Sequence, residues 1–218
     1  MKSKRVLKIF LYVIVGLIAI LVGSYIISPD RKNLERIKQA MDIDNEVTRG
    51  FALSLAAQYP GEYSIDQVCR IYEYLYKNWK YVSDPRGQEY FANASNSIIN
   101  DLSGDCDDFA ILMATMLESI GGKTRISFAH GPEGGHAFAE VYFLEDPQVM
   151  YDKINYHFQG ILEVIFGIAK VDEVNYMPDS KGGIWINLDY SSKYPGGPYF
   201  KYDSKTIYYP RDYYFEVE

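Results

Sequence analysis

Gly104-Asp105-Cys106-Asp107-Asp108-Phe109-Ala110 is the stretch on which the reading of this chain turns. Ile111, Leu112, Met113, Met116 and Leu117 follow it, and the apolar run stops at Gly121-Gly122. Acidic residues in a first turn and glycines after a last turn are start and stop signals of a helix. They predict one from about Asp105 to Ile120, with Cys106 at its start. There the unpaired backbone N–H groups favour a thiolate and can donate to an oxyanion on an acyl group held by the sulfur. The three surrounding aspartates oppose a free thiolate, so a reactive Cys106 requires an imidazolium close by.

Two later segments could supply its partners. Gly135-His136-Ala137-Phe138-Ala139-Glu140 places a histidine at the start of a strand, behind two glycines that leave room for a neighbouring element. Trp185-Ile186-Asn187-Leu188-Asp189 ends a short apolar strand on a carboxylate. A thiol nucleophile, a base and a group that orients the base form such a set when the fold brings them together. His130, at a strand end before a turn, and His157 compete with His136 for the role of base. His130 is the weaker base, since no later element is placed to orient it, and is expected to line the site.

Working outward, residues 31–58 carry apolar side chains at helical spacing, and Pro60-Gly61 stops them. Ser64-Ile65-Asp66-Gln67 reads as a capping box, with Gln67 reaching back, at the head of a helix bearing Ile65, Val68, Ile71, Tyr72, Leu75 and Trp79. Residues 83–97 read as a surface loop. Strands are expected over 123–129, 136–143 and 184–188, with one or two more over 206–217. Residues 145–183 form an excursion whose apolar part, Ile161 to Ala169, suits a lid, a membrane-facing element or packing on the domain. Helices followed by an antiparallel sheet make an α+β fold.

The first residues have another character. Lys2, Lys4, Arg5 and Lys8 precede an uncharged, mostly apolar run from Ile9 to Ile27. At about 1.5 Å per residue that run reaches roughly 28 Å, enough to cross the hydrocarbon core of a bilayer. The basic flank predicts a cytoplasmic N-terminus and a domain on the extracytoplasmic side. A signal peptide cleaved near Val22-Gly23-Ser24, giving a secreted domain, is the alternative. The expected organisation is a basic flank and anchor over 1–28, a helical linker over 29–60 and a catalytic domain over 61–218.

The net charge of -7 excludes a broad phosphate-binding surface, and with it a nucleic-acid partner. Two cysteines, Cys69 and Cys106, make no disulfide framework and no zinc spacing, although a bridge between them is possible. Cys69 reads as a small buried hydrophobe. The 21 tyrosines suit half-buried strands and a binding groove alike. The aspartates near Cys106 lack calcium-loop spacing, so no metal or organic cofactor is expected.

The three segments resemble the motifs of the transglutaminase-like superfamily, whose fold is related to papain-like cysteine proteases. The resemblance rests on Gly104-Asp105-Cys106, on His136-Ala137-Phe138-Ala139-Glu140, and on Trp185 to Asp189, with Trp79-Lys80-Tyr81 upstream. It spans roughly residues 60–190 and implies Cys106 as nucleophile, His136 as base and Asp189 as orienter. It further implies action on amide or peptide bonds of a protein or peptide without fixing the reaction, since members include acyltransferases, peptidases and amidases; hydrolysis is slightly favoured here over acyl transfer. The excursion over 145–183 exceeds the short hairpin expected between the histidine and aspartate strands. Trp79, Gln88, His130 and Trp185 are candidates for lining the site, and Gln88 or an asparagine between 93 and 100 for the second oxyanion donor. The competing reading is a non-catalytic, membrane-tethered module that binds proteins through a tyrosine-rich groove.

Overall fold

The computed structural model describes residues 10–18, 28–84, 90–166 and 170–218. Helix α1 covers residues 10–18, and its apolar side chains from Phe10 to Ile18 are exposed. Among the described residues no helix is long and apolar enough to cross a membrane. The rest of the span expected over 9–27 lies outside the described residues.

Helix α2 (Pro29–Met41) starts on Ser28, whose side chain accepts the N–H of Arg31, with proline in its first turn. It buries Leu34, Ile37, Ala40 and Met41, a spacing that sets them on one face. Helix α3 (Glu46–Ala56) is capped by the Asn45 side chain, and helix α4 (Ile65–Asn78) begins after Ser64. The capping box expected at Ser64 does not form. The Ser64 side chain makes no capping bond, and the Gln67 amide donates instead to the carbonyl of Tyr59 at 2.9 Å. The preceding chain has folded back over the helix start and offers a better-placed acceptor.

Strand β1 (Lys80–Tyr81) pairs in parallel with β2 (Ser103–Gly104), on either side of a short helix α5 (Ala94–Ile99). The surface loop expected over 83–97 is therefore interrupted by helix in its last part. Helix α6 (Cys106–Ser119) is buried along nearly its whole length, and from Phe109 to Leu117 it is apolar on all sides but for Thr115, whose hydroxyl bonds the Ile111 carbonyl.

Strands β3 (Thr124–Gly131) and β4 (Gly134–Phe143) form a hairpin, and helix α7 (Pro147–Phe166) follows. Strands β5 (Tyr176–Pro178), β6 (Ile184–Asn187), β7 (Ser204–Tyr209) and β8 (Tyr214–Val217) complete an antiparallel sheet in the order β5-β6-β4-β3-β7-β8. One face of the sheet, through Ile126, Ala137, Ala139 and Val141, joins α6 and the other helices in the core. On the other face, alternation along the strands brings Arg125 opposite Glu140. Arg125 forms two hydrogen bonds with that carboxylate, at 2.7 and 2.9 Å, in a buried ion pair. Burial would strip the guanidinium of its charge, but Glu140 holds it well above its usual range.

The excursion after β4 is largely α7, which buries Met150, Ile154 and Phe158 and sets the Phe158 ring edge-on to Tyr72 of α4. Its outer side stays in solvent, with Val164 at 86% exposure. Leu162, Ile165, Phe166 and Ile168 of the apolar segment lie outside what is described of side chains.

Candidate active site

Cys106 is the first residue of α6 and is half-buried. Asp105 and Asp108 form a reciprocal capping box around it. Gly104 is what lets β2 run into this turn. Its φ of +158° suits glycine, and a Cβ there would collide with the Asp108 side chain. The Asp108 carboxylate accepts the N–H of Ala92 at 2.8 Å and of Asp105 at 3.4 Å. Burial pushes this carboxyl up to about 6 against the lowering effect of the Ala92 bond.

His136 stands near the start of β4, paired with Ala129 of β3. Its Nε2 lies 2.9 Å from both carboxylate oxygens of Asp189. Asp189 follows β6 and is fully buried. Besides His136, three groups fix it there. Its carboxylate accepts the N–H of Ser191 at 2.8 Å, capping the 3-10 turn Tyr190–Ser192. Its own N–H donates to Asn187 Oδ1 at 3.1 Å, and its carbonyl accepts the Tyr72 hydroxyl at 2.6 Å. The buried Asn187 amide then donates to Ser192 Oγ and to the carbonyls of Gly197 and Pro198, shaping the loop that returns to the site. From that loop the Phe200 ring packs 4.9 Å from the imidazole.

Burial alone would push the His136 imidazole down. The hydrogen bond with Asp189, and then the influence of the Cys106 sulfur, reverse this and hold it up to about 10. With Nε2 engaged by Asp189, Nδ1 is the ring nitrogen left for the thiol. Cys106 and His136 line one cleft of about 610 Å³, with Asp189 bonded to the imidazole.

The cleft is walled by Arg36 of α2, by Tyr81 and Phe91, by Phe128 and His130 of β3, and by Tyr208 of β7. His130 is therefore at the site, and the ring would touch a Cβ placed on Gly135. Trp79 and Trp185 do not line the cleft, contrary to expectation. Trp79 is buried edge-on against Phe109, and Trp185 packs on Tyr142 and over the Arg125 guanidinium on the opposite sheet face. Their apolar area drew them into the interior. Gln88 lies outside the described residues. His157 sits elsewhere, bonded to Glu73 at 3.1 Å and to the Tyr59 hydroxyl at 3.3 Å.

Both cysteines are free, so no bridge joins them. Cys69 is fully buried, and burial pushes its thiol well up, out of the nucleophilic range. Among the described residues Tyr81 and Tyr208 are the tyrosines that line the cleft, fewer than a tyrosine-rich groove requires. Tyr199 instead donates its hydroxyl to Glu140 at 2.8 Å behind the sheet. Asn187, Phe200 and Tyr72 carried no signal in the sequence as site residues; only Asn187 lay within a motif already singled out. Carboxylate oxygens of Asp105, Asp107 and Asp108 lie within 4.8 Å of one another, the group among the described residues that could hold a metal ion.

A cysteine opening a buried helix against an antiparallel sheet that carries a histidine–aspartate pair defines a cysteine–histidine–aspartate α+β class. Within it, the chain belongs to the transglutaminase-like superfamily, whose core profile matches residues 49–159. The match takes in Cys106 and His136 and ends before Asp189. Among solved structures the chain is similar to a provisionally assigned cysteine protease of Cytophaga hutchinsonii, at 19% identity and a TM-score of 0.38. That alignment covers 53% of this chain and 39% of the other, so the chain spans about two fifths of that protein's length. It is also similar to calcium-bound LapG of Legionella pneumophila, at 16% identity and a TM-score of 0.42, covering 72% of this chain and 82% of that one. The EGTA-treated form of LapG aligns at 20% identity and a TM-score of 0.36, over 50% and 63% of the two chains. No curated protein matches the chain. The family assignment rests on the profile match.

Proposed function

We propose that this chain is a membrane-anchored cysteine hydrolase that cleaves amide or peptide bonds in a protein or peptide substrate. Cys106 is the nucleophile, His136 the base and Asp189 the group that orients it. The reading is carried by one imidazole that bonds the Asp189 carboxylate at 2.9 Å and lines a single cleft with Cys106. An imidazolium beside a sulfur favours the thiolate, which answers the objection raised by the three flanking aspartates.

The reaction starts with the Cys106 proton on His136. The sulfur attacks the carbonyl carbon, a C–S bond forms, and the carbonyl electron pair moves to oxygen. The Cys106 backbone N–H has no acceptor within the helix, because it is at the first position, and it donates to that oxyanion. His136 gives its proton to the leaving amine as the C–N bond breaks. Water, deprotonated by His136, then cleaves the thioester.

Labelling with iodoacetamide tests the reading. Cys106 is expected to alkylate much faster than Cys69, and His136→Ala to remove most of the difference; equal, slow reaction at both thiols sinks the proposal. Added primary amine distinguishes the two outcomes of the acyl-enzyme, since its appearance in the product would make the chain a transferase.

Anchoring by residues 9–27, with the domain outside the cytoplasm, is part of the proposal. Its support is the basic flank and the exposed apolar side chains of α1, a pattern that lipid satisfies and water does not. Expressed in cells, the chain should remain in membranes washed at alkaline pH and should be digested by protease added from the extracytoplasmic side.

A further inference from the structure

The acyl-enzyme reading needs a second donor for the oxyanion, since the backbone N–H of Cys106 supplies one. We propose that the Tyr81 phenol is that donor. The inference rests on Cys106 being the nucleophile.

The placement comes from the small parallel sheet that precedes the cysteine. Tyr81 lies opposite Gly104, two residues before Cys106. Lys80 N–H donates to the Leu102 carbonyl and Val82 N–H to the Gly104 carbonyl, each at 2.8 Å, so backbone bonds pin Tyr81 on both sides. Its side chain lines the same cleft as Cys106 and His136 and is 56% exposed, so the core does not claim it.

The chemistry of the phenol agrees. Burial and then the charge of the nearby Cys106 sulfur push it above its usual range, which keeps its proton on and marks its proximity to the sulfur. A protonated phenol lining the cleft has an O–H to donate there.

Of the donors expected from the sequence, Gln88 lies outside the described residues. The Trp79 indole N–H is buried and does not line the cleft, and neither do Asn93, Asn96 and Asn100. His130 lines it from the neighbouring strand, opposite Gly135. In the proposed step, the Cys106 sulfur adds to the carbonyl carbon and the displaced electron pair settles on oxygen. That oxygen accepts hydrogen bonds from Tyr81 O–H and Cys106 N–H, and collapse returns the pair as the amine leaves with the His136 proton.

Two reagents applied to the full chain separate this role from a structural one. Iodoacetamide alkylates a thiolate by direct displacement and forms no oxyanion; 4-nitrophenyl acetate acylates it through one. Tyr81→Phe is expected to alkylate at Cys106 at the wild-type rate and to acylate about 100-fold more slowly, the size of effect seen when one oxyanion donor is removed. Acylation within about three-fold of wild type, measured against that expectation, overturns the assignment. An equal fall in both rates overturns it as well, since the substitution would then have disturbed the thiol itself. A wild-type chain whose Cys106 acylates no faster than Cys69 overturns the nucleophile, and Tyr81 with it.

Discussion

His136 keeps its proton because the Asp189 carboxylate and the Cys106 thiol outweigh the cost of burying a charge. Its folded-state value of about 10 lies above the ordinary 6.5, so the folded state binds the proton more tightly than the unfolded chain does. The stability this contributes is present in full below pH 6.5 and is lost as pH rises through about 10. Asp189→Asn removes the charged acceptor. The loss should then set in at lower pH, which urea unfolding across a pH series would reveal, and an unchanged profile would show that Asp189 does not hold the proton. If the acyl-enzyme reading holds, the same substitution should slow turnover by about 10⁴-fold, the cost known for an Asp-to-Asn change behind a catalytic histidine.

Between elements, two buried polar links carry testable weight. Glu140, the last residue of the histidine motif, meets no reacting group. It holds Arg125, Ser127 and Tyr199 together behind the sheet. Glu140→Gln leaves a buried guanidinium without its counter-charge and should cost about 3–5 kcal/mol in urea unfolding. The second link joins α7 to α4. A hydrogen bond from His157 pulls the Glu73 carboxyl down to about 2, against burial and helped by Lys77. Its folded value is depressed, so the stability it contributes is present above pH 4.5 and is lost as pH falls through about 2. His157→Gln should speed amide hydrogen exchange across residues 147–166 while leaving β4 protected. Equal protection in both proteins would mean that apolar packing alone seats the helix.

For the whole molecule, the informative fact is that α2 lies before the family match and yet belongs to the core. Leu34, Ile37 and Met41 are fully buried, in one cluster with Phe109 and Ile126. A chain truncated to begin at residue 49 should lose cooperative unfolding, as followed by circular dichroism on heating. Ile37→Ala, which keeps the helix, should cost about 2–5 kcal/mol through lost burial and the cavity left behind. The same helix sets Asp30, Asn33 and Arg36 against the cleft, so folding and substrate access share one element.

Much was legible in the residues because it was local. Caps, glycine stops and alternation located α6 and the strand pair, and the chain order of Cys106, His136 and Asp189 followed from motifs a few residues long. Local signals misled where a distant group competed. Gln67 left the Ser64 box for the Tyr59 carbonyl, and Trp185 turned toward Arg125 instead of the cleft. By itself the sequence determined the elements, the α+β class and the three residues worth testing. Which histidine pairs with Asp189, from 53 positions away, was decided by the tertiary structure. The register of β4 with β3 and β6, and the loop shaped by Asn187, set those contacts. They depend on where elements dock, and no short window of residues carries that information.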